Sequence, residues 1–177
     1  RTTTTSVAPV RQVVLTATAQ VCGLAVLTAI AAQVQAPLVP VPVTLQTAAV
    51  LLAGLWAGSR LGAAAQATYL AAGFAGLPVF AGLLGGPAVL LGPTAGYLAA
   101  FPAAAWIAGL GSGRGLLARF AAAGTGALLV LACGGAWLAV VGGAGTALAA
   151  GIFPFLGPEM VKAALVAAGV AFLPGRR

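Results

Sequence analysis

Long apolar runs, separated by short segments rich in Gly, Pro or Arg, make up most of the chain. The runs are continuous, whereas the strands of a membrane barrel alternate apolar and polar residues. The breaks divide the chain into six spans, and we expect the last span to be interrupted at FPFLGP. The approximate bounds are 13–34, 44–57, 61–76, 94–110, 116–141 and 147–173. The pattern therefore predicts an all-α fold, an integral membrane bundle of six transmembrane helices.

The composition supports a membrane protein. Hydrophobic residues make up 62% of the 177 residues and charged residues 5%, whereas a soluble domain carries about a quarter of its residues charged. We expect the surplus of Leu, Ala, Val and Gly to face the lipid bilayer and to pack helix against helix. The chain is predicted to be a single membrane domain, with a polar tail at 1–12 and the helical bundle at 13–173.

The basic residues indicate how the spans are oriented. If the N-terminus is cytoplasmic, the outer connectors 35–43, 77–93 and 142–147 contain neither Lys nor Arg. All the arginines then fall on the inner side, as the positive-inside rule requires: Arg1, Arg11, Arg60, Arg114, Arg119, Arg176 and Arg177. We predict that both termini are cytoplasmic. This placement also explains the net charge of +7 without a nucleic-acid partner.

The outer connectors are expected to form a pocket. The spans 44–57 and 61–76 are shorter than the roughly 20 residues that cross a bilayer. Their outer ends must therefore stop below the membrane surface, with the connectors folded inward over them. Irregular backbone at that depth is tolerated where it is buried in protein or lines a cavity. We predict a pocket that opens outward.

One charged pair is the main candidate for a site. Glu159 is the only acidic residue and Lys162 the only lysine. Pro158 is expected in the first turn of a helix, with Glu159 near the positive end of its dipole and Lys162 on the same face. The pair could be a structural ion pair or could bind a polar ligand. We favour the ligand, because desolvation makes buried pairs poor stabilisers and ionisable residues within spans are usually functional.

Other polar and aromatic residues are expected near the same outer end. Thr44 and Gln46 open the second span and Tyr97 opens the fourth, although a Thr can equally bond to its own helix. A primary amide such as that of Gln46 is costly to leave unpaired in lipid. Phe80 and Trp137 could form an apolar wall for a ligand. Each of these two could also be ordinary packing or an anchor at the membrane interface.

Several functions are disfavoured by what the sequence lacks. His, Asp and Asn are absent, which removes the usual general bases and metal ligands. We therefore predict that the protein is not an enzyme and has neither a metal site nor a cofactor. An intramembrane enzyme and a structural subunit without a ligand are the minor alternatives. Ala25 and Ala29 have the small-residue spacing that permits close helix approach, and we assign them to packing against a partner helix.

Four segments resemble the BioY family, the biotin-specific S components of energy-coupling factor (ECF) vitamin transporters. They are VPVTLQTAAVLLAG (41–54), GSRLGAAAQATYLAAGFAGLPVFAG (58–82), LGPTAGYLAAF (91–101) and FPFLGPEMVKA (153–163). The resemblance implies a multi-pass protein of the bacterial cell membrane that captures biotin with high affinity in an outward-side pocket. It also implies partners, a T component and two cytoplasmic ATPases, which use ATP to deliver the vitamin inward.

The resemblance further implies that Glu159 and Lys162 contact biotin, because the family places a carboxylate and a lysine of the last helix there. The family usually has Asp at the position of Glu159, so the carboxylate of this chain extends one methylene further. Biotin suits such a site, since its ureido ring has N–H donors and a carbonyl, its bicycle is apolar and its tail is anionic. An S component for another small vitamin, or a biotin transporter without the ATPases, are the alternatives.

Overall fold

The computed structural model describes residues 10–36, 38 and 40–173. These residues form six helices, and each helix begins and ends within three residues of its predicted bounds. They are α1 Val10–Gln33, α2 Gln46–Ala57, α3 Ser59–Phe74, α4 Ala95–Gly109, α5 Leu116–Gly142 and α6 Ala144–Phe172. The predicted helical bundle is confirmed. Arg1, Arg176 and Arg177 lie outside the described residues, as does the predicted tail up to residue 9.

The lengths of the helices agree with a membrane protein that has shortened spans. In the described part of the chain, α1, α5 and α6 are long and apolar enough to cross a bilayer. Helix α2 has 12 residues and therefore rises about 18 Å, well short of a hydrocarbon core of about 30 Å. The prediction of a short second span is confirmed.

Helix α6 differs from the prediction at its start. Ala144–Phe172 is helical throughout, with a π-helical stretch at Ala147–Ile152 followed by the α-helical part Phe153–Gly169. Pro158 therefore lies inside the helix, and the predicted position of Glu159 in a first turn is wrong. The reason is the π-helical stretch, which already interrupts regular hydrogen bonding just before the prolines.

Helix α2 is the centre of the bundle and contacts the five other helices. Its residues Val50, Leu51 and Ala53 are fully buried. The approach of α3 is close enough that a Cβ atom at Gly62 would lie 2.7 Å from the Cα of Gly54. Glycine is required at position 62 for this packing.

Ala25 and Ala29 do not lie on a free face of α1. Ala25 is buried in the core, and Ala29 packs against the same core cluster. Ala25 thus faces the chain's own helices and Ala29 is partly exposed, so the packing of these residues against a partner helix stays a prediction. The exposed side of α1 carries larger apolar residues, Val26, Leu27 and Ile30.

The described parts of the connectors at one end of the bundle fold inward. Between α1 and α2, the strands β1 (Gln35–Ala36) and β2 (Val43–Thr44) pair antiparallel. Between α3 and α4, two short 3-10 turns follow each other, at Ala81–Leu83 and Pro87–Leu91. Phe80, at the start of the second connector, is only 2% exposed. The connectors therefore cover the ends of the short helices, as the sequence predicts.

Candidate functional site

A cavity of about 430 Å³ lies beneath these connectors. Its walls come from residues 40–44, from residues 80–94 and from the adjoining ends of the helices. Arg60 and Arg114 lie at the opposite end of the bundle, near the start of α3 and in the connector after α4. A cavity is therefore present among the uncharged connectors, and the side of the membrane to which it opens stays a prediction.

Four of the predicted ligand-binding residues meet at this cavity. Thr44, Gln46, Phe80 and Tyr97 all line it, although they come from two connectors and two helices. The Thr44 hydroxyl accepts a hydrogen bond from the backbone N–H of Gln46 at 3.2 Å, the local Thr bond that was the alternative to a ligand role. The structure thus brings these residues together, while the Thr44 side chain also supports the start of α2.

Trp137 does not line the cavity. Its indole Nε1 donates a hydrogen bond to the Gly92 carbonyl at 2.8 Å. This bond joins α5 to the connector that covers the cavity. Trp137 therefore supports the wall of the cavity from outside, and the structure gives it no direct contact with the cavity.

Two aromatic residues of the cavity wall, Phe80 and Phe101, pack on Tyr69, which does not itself line the cavity. The rings of Phe80 and Tyr69 pack edge to face with centroids 5.5 Å apart, and Tyr69 stacks on Phe101 at 6.5 Å. The Tyr69 hydroxyl accepts a hydrogen bond from Gln46 Nε2 and donates one to the Val79 carbonyl at 3.2 Å. Tyr69 is not among the residues predicted from the sequence. The available signal was a phenol within an apolar span, since a buried Tyr hydroxyl needs a partner.

The charged pair lies behind the cavity wall. Glu159 Oε1 and Lys162 Nζ are 2.5 Å apart, and the two residues are 3% and 8% exposed. Thr47 Oγ1 donates to Glu159 Oε1 at 3.2 Å, and Lys162 Nζ donates to the Thr44 carbonyl at 2.7 Å. Thr44 and Thr47 line the cavity, so these two threonines separate the pair from it.

The second oxygen of Glu159 is available for a further contact. Among the described residues, Glu159 Oε2 is buried and has no hydrogen-bond partner. An unpaired buried acceptor is costly, and the cost is larger for a charged group. The pair therefore offers an acceptor without a partner, Glu159 Oε2, and an ammonium donor, Lys162 Nζ, behind the threonines that line the cavity. In the described part of the chain, no three His, Cys, Asp or Glu side chains come together as metal ligands.

Tyr97 contributes its ring to the cavity, because its hydroxyl is already engaged. The hydroxyl donates to the Gly151 carbonyl at 2.7 Å, within the π-helical stretch of α6. The ring lies 6.3 Å from the ring of Phe155, which also lines the cavity. Tyr97 thus connects α4 to α6 and provides apolar surface.

Gln33 fastens the second connector to the end of α1. Its amide Nε2 donates to the Phe80 carbonyl at 3.1 Å, and its Oε1 accepts from the Leu83 N–H at 3.2 Å. Both partners of Gln33 lie about fifty residues away in the sequence. The sequence alone therefore indicates only that a polar residue stands near the end of a span. Gln33 therefore determines where Phe80 lies at the cavity.

Known proteins match the chain over most of its length. The model of the BioY family matches residues 3–175. A curated relative from Pyrococcus horikoshii, named probable biotin transporter BioY, is 45% identical over 138 residues, which cover 78% of this chain and 83% of the relative. The biotin transporter BioY of Rhizobium etli is 36% identical over 157 residues, with 78% and 84% covered.

A solved structure shares the fold. It is a crystal structure of the S-component for biotin from an ECF-type ABC transporter. The match has a TM-score of 0.83 at 22% identity, and it covers 95% of this chain and 97% of the other. The two chains therefore share the same fold.

Proposed function

The chain belongs to the BioY family, and from this membership we propose that it is the biotin-binding S component of an ECF-type transporter. The family is one of membrane transporters, so the prediction that the chain is not an enzyme holds. In the proposed function, the chain captures biotin with high affinity in the cavity beneath the connectors. A T component and two cytoplasmic ATPases then drive delivery to the inside, and ATP is used by these partners alone.

The observation that carries the proposal is the position of the charged pair. Glu159 and Lys162 lie directly behind Thr44 and Thr47, which line a cavity of about 430 Å³. Small-molecule sites generally have volumes of about 300–1,000 Å³ with mostly apolar walls and few polar groups. A single carboxylate and a single ammonium at one side of such a cavity suit a compact ligand with both donors and acceptors.

The ureido ring of biotin is proposed to face the pair. One of its N–H groups would donate to Glu159 Oε2, which is unpaired and buried. Its carbonyl oxygen would accept from Lys162 Nζ in place of the Thr44 carbonyl. The apolar bicycle would then contact the rings of Phe80 and Tyr97, which line the cavity. The ureido carbonyl and one N–H group would each have a counterpart in this arrangement.

The cavity is proposed to open outward from the bacterial plasma membrane, with both chain termini cytoplasmic. The connectors around the cavity, 35–43 and 77–93, contain no Lys or Arg. Arg60 and Arg114 lie at the opposite end of the bundle. Basic residues are retained on the cytoplasmic side of membrane proteins, which supports this orientation of a multi-pass chain.

Biotin binding by the purified protein tests the assignment. Native mass spectrometry after purification from cells supplied with biotin is expected to show the vitamin bound, and isothermal titration of the ligand-free protein gives its affinity. Riboflavin and thiamine serve as matched competitors, because S components for other vitamins are the alternative. Preferred binding of either competitor, or no saturable binding of biotin, contradicts the proposal.

The dependence on partners needs a separate measurement. The tagged chain is expressed in its native host, and the proteins that co-purify are identified. We expect a T component and the ATPases in the complex. Biotin uptake by vesicles that contain this chain alone would instead support transport without the ATPase module.

A further inference from the structure

A second cavity, of about 310 Å³, lies at the end of the bundle opposite the first. It is enclosed by the end of α2, the connector between α4 and α5, the start of α5 and the end of α6. Its lining includes Leu55, Ser112, Arg119 and Leu173. None of them belongs to the biotin site described above.

Arg119 brings an uncompensated charge to this cavity. Its Nε is buried and has no hydrogen-bond partner among the described residues. The only acidic residue of the chain is Glu159, and its carboxylate is paired with Lys162 at 2.5 Å. Arg119 as a whole is partly buried, and a buried N–H donor without a partner is costly. No acidic side chain of this protein can pair with Arg119, so an anion that pairs with it comes from another molecule.

The donors at this cavity suit a phosphate group. A guanidinium presents its N–H donors in a planar fork that matches phosphate oxygens in pairs. The Ser112 hydroxyl lines the same cavity and can donate to the same anion. Arg119 also lies near the start of α5, where the positive end of the helix dipole adds to the attraction for an anion.

The surroundings of the cavity suit an anion that carries acyl chains. Leu55 and Leu173 line it, and the first two turns of α5 expose Leu116, Leu117 and Phe120. Exposed apolar residues beside a basic cavity are what a phospholipid requires, with its tails along the helix and its headgroup inside. Basic cavities between membrane helices on the cytoplasmic side bind lipid headgroups in this way.

We propose that the Arg119 cavity binds the phosphate of an anionic phospholipid. Free phosphate has the same chemistry at Arg119 but gains nothing from the apolar rim. We therefore expect the phospholipid to bind this site more tightly than free phosphate does. The inference does not depend on the biotin assignment, because the two cavities share no residue.

Native mass spectrometry of the delipidated full chain tests the proposal. The wild type is titrated with phosphatidylglycerol, with diacylglycerol of the same acyl chains, and with inorganic phosphate. The wild type is expected to retain phosphatidylglycerol and not diacylglycerol, and an excess of inorganic phosphate is expected to compete only weakly. Equal retention of the two lipids overturns the proposal, and binding of inorganic phosphate as tight as that of the lipid overturns the lipid assignment.

Two arginine variants locate the site. Arg119→Gln is expected to weaken phosphatidylglycerol binding roughly tenfold or more, since bonds to charged groups are the strong ones. Arg114→Gln removes an exposed arginine from the neighbouring connector and is expected to change binding by less than about fivefold. Size-exclusion and thermal unfolding profiles verify that the variants are folded. Equal lipid binding by the two variants overturns the assignment to Arg119, and the wild-type titration decides the lipid chemistry if Arg119→Gln does not fold.

Discussion

Glu159 Oε1 accepts a hydrogen bond from Lys162 Nζ at 2.5 Å, and both side chains are closed off from the cavity by Thr44 and Thr47. The pair is held in the protein by contacts that a ligand has to replace. The affinity for biotin therefore depends on how much stronger the bond from Lys162 to biotin is than the bond from Lys162 to the Thr44 carbonyl. The following variants separate these contributions.

Lys162→Met is expected to weaken biotin binding and to destabilise the protein. Loss of a hydrogen bond to a charged group should lower the affinity roughly 10- to 150-fold. The change also leaves the Glu159 carboxylate buried without its partner, which costs about 3–5 kcal/mol in the free energy of unfolding. Isothermal titration measures the first effect and denaturant unfolding in detergent the second.

The double variant Glu159→Gln with Lys162→Met is the control for stability. It removes both charges, so most of the lost stability should return while biotin binding stays weak. Recovery of binding together with stability would show that the pair is structural. Wild-type affinity in Lys162→Met would remove this residue from the site.

Thr47→Val tests whether the threonine orients the carboxylate. Valine keeps the shape of the cavity wall but removes the 3.2 Å bond from Thr47 Oγ1 to Glu159. We expect the affinity for biotin to fall roughly 2- to 12-fold, since a hydrogen bond contributes about 0.5–1.5 kcal/mol. Thr125→Val is the matched control, because the exposed Thr125 bonds only to the carbonyl of Ala121 in its own helix. Equal losses in the two variants would count against an orienting role.

The bounds of the helices could be predicted from the sequence, but the direction in which residues face could not. Gly, Pro and Arg breaks identify the helices because no span continues through them. In α1 the side toward the bundle and the exposed side are both apolar. Ala25 therefore carries no sign that it is buried, and Val26 no sign that it is exposed. A membrane helix lacks the polar face that orients a helix in a soluble protein.

The start of α6 could not be predicted from the sequence, for a different reason. Two prolines in FPFLGP indicate a break, yet Pro154 lies in the first turn of the α-helical part and Pro158 within it. The π-helical stretch at Ala147–Ile152 comes just before them, and Gly151 within it accepts a hydrogen bond from the Tyr97 hydroxyl of α4, a tertiary contact that the sequence does not show. The pairing of Glu159 with Lys162 could be predicted, whereas their depth behind the wall could not.

Gln33→Ala should accelerate the release of biotin. The variant loses the bond that Gln33 Nε2 donates to the Phe80 carbonyl and the bond that Gln33 Oε1 accepts from the Leu83 N–H. These two bonds hold the connector over the cavity. Two such bonds together contribute about 1–3 kcal/mol, so the dissociation rate of labelled biotin is expected to rise roughly 5- to 150-fold. Gln35→Ala, at an exposed position of the same end, is expected to leave the rate unchanged. A faster release from both variants would mean that the amide of Gln33 has no special role.

Gly62→Ala is expected to destabilise the bundle, although alanine favours a helix. The added Cβ would lie 2.7 Å from the Cα of Gly54 and 2.9 Å from its backbone nitrogen, so α2 and α3 would have to separate. Overpacking of this kind costs about 1–3 kcal/mol. Gly23→Ala is the matched control, because no atom lies within 4 Å of a Cβ at that position of α1. This second variant should be more stable than the wild type by about 0.5–1 kcal/mol, the usual gain from replacing a helical glycine. Unfolding curves of the two variants in one detergent should therefore shift in opposite directions, and a shift in the same direction would refute the close packing of α2 and α3.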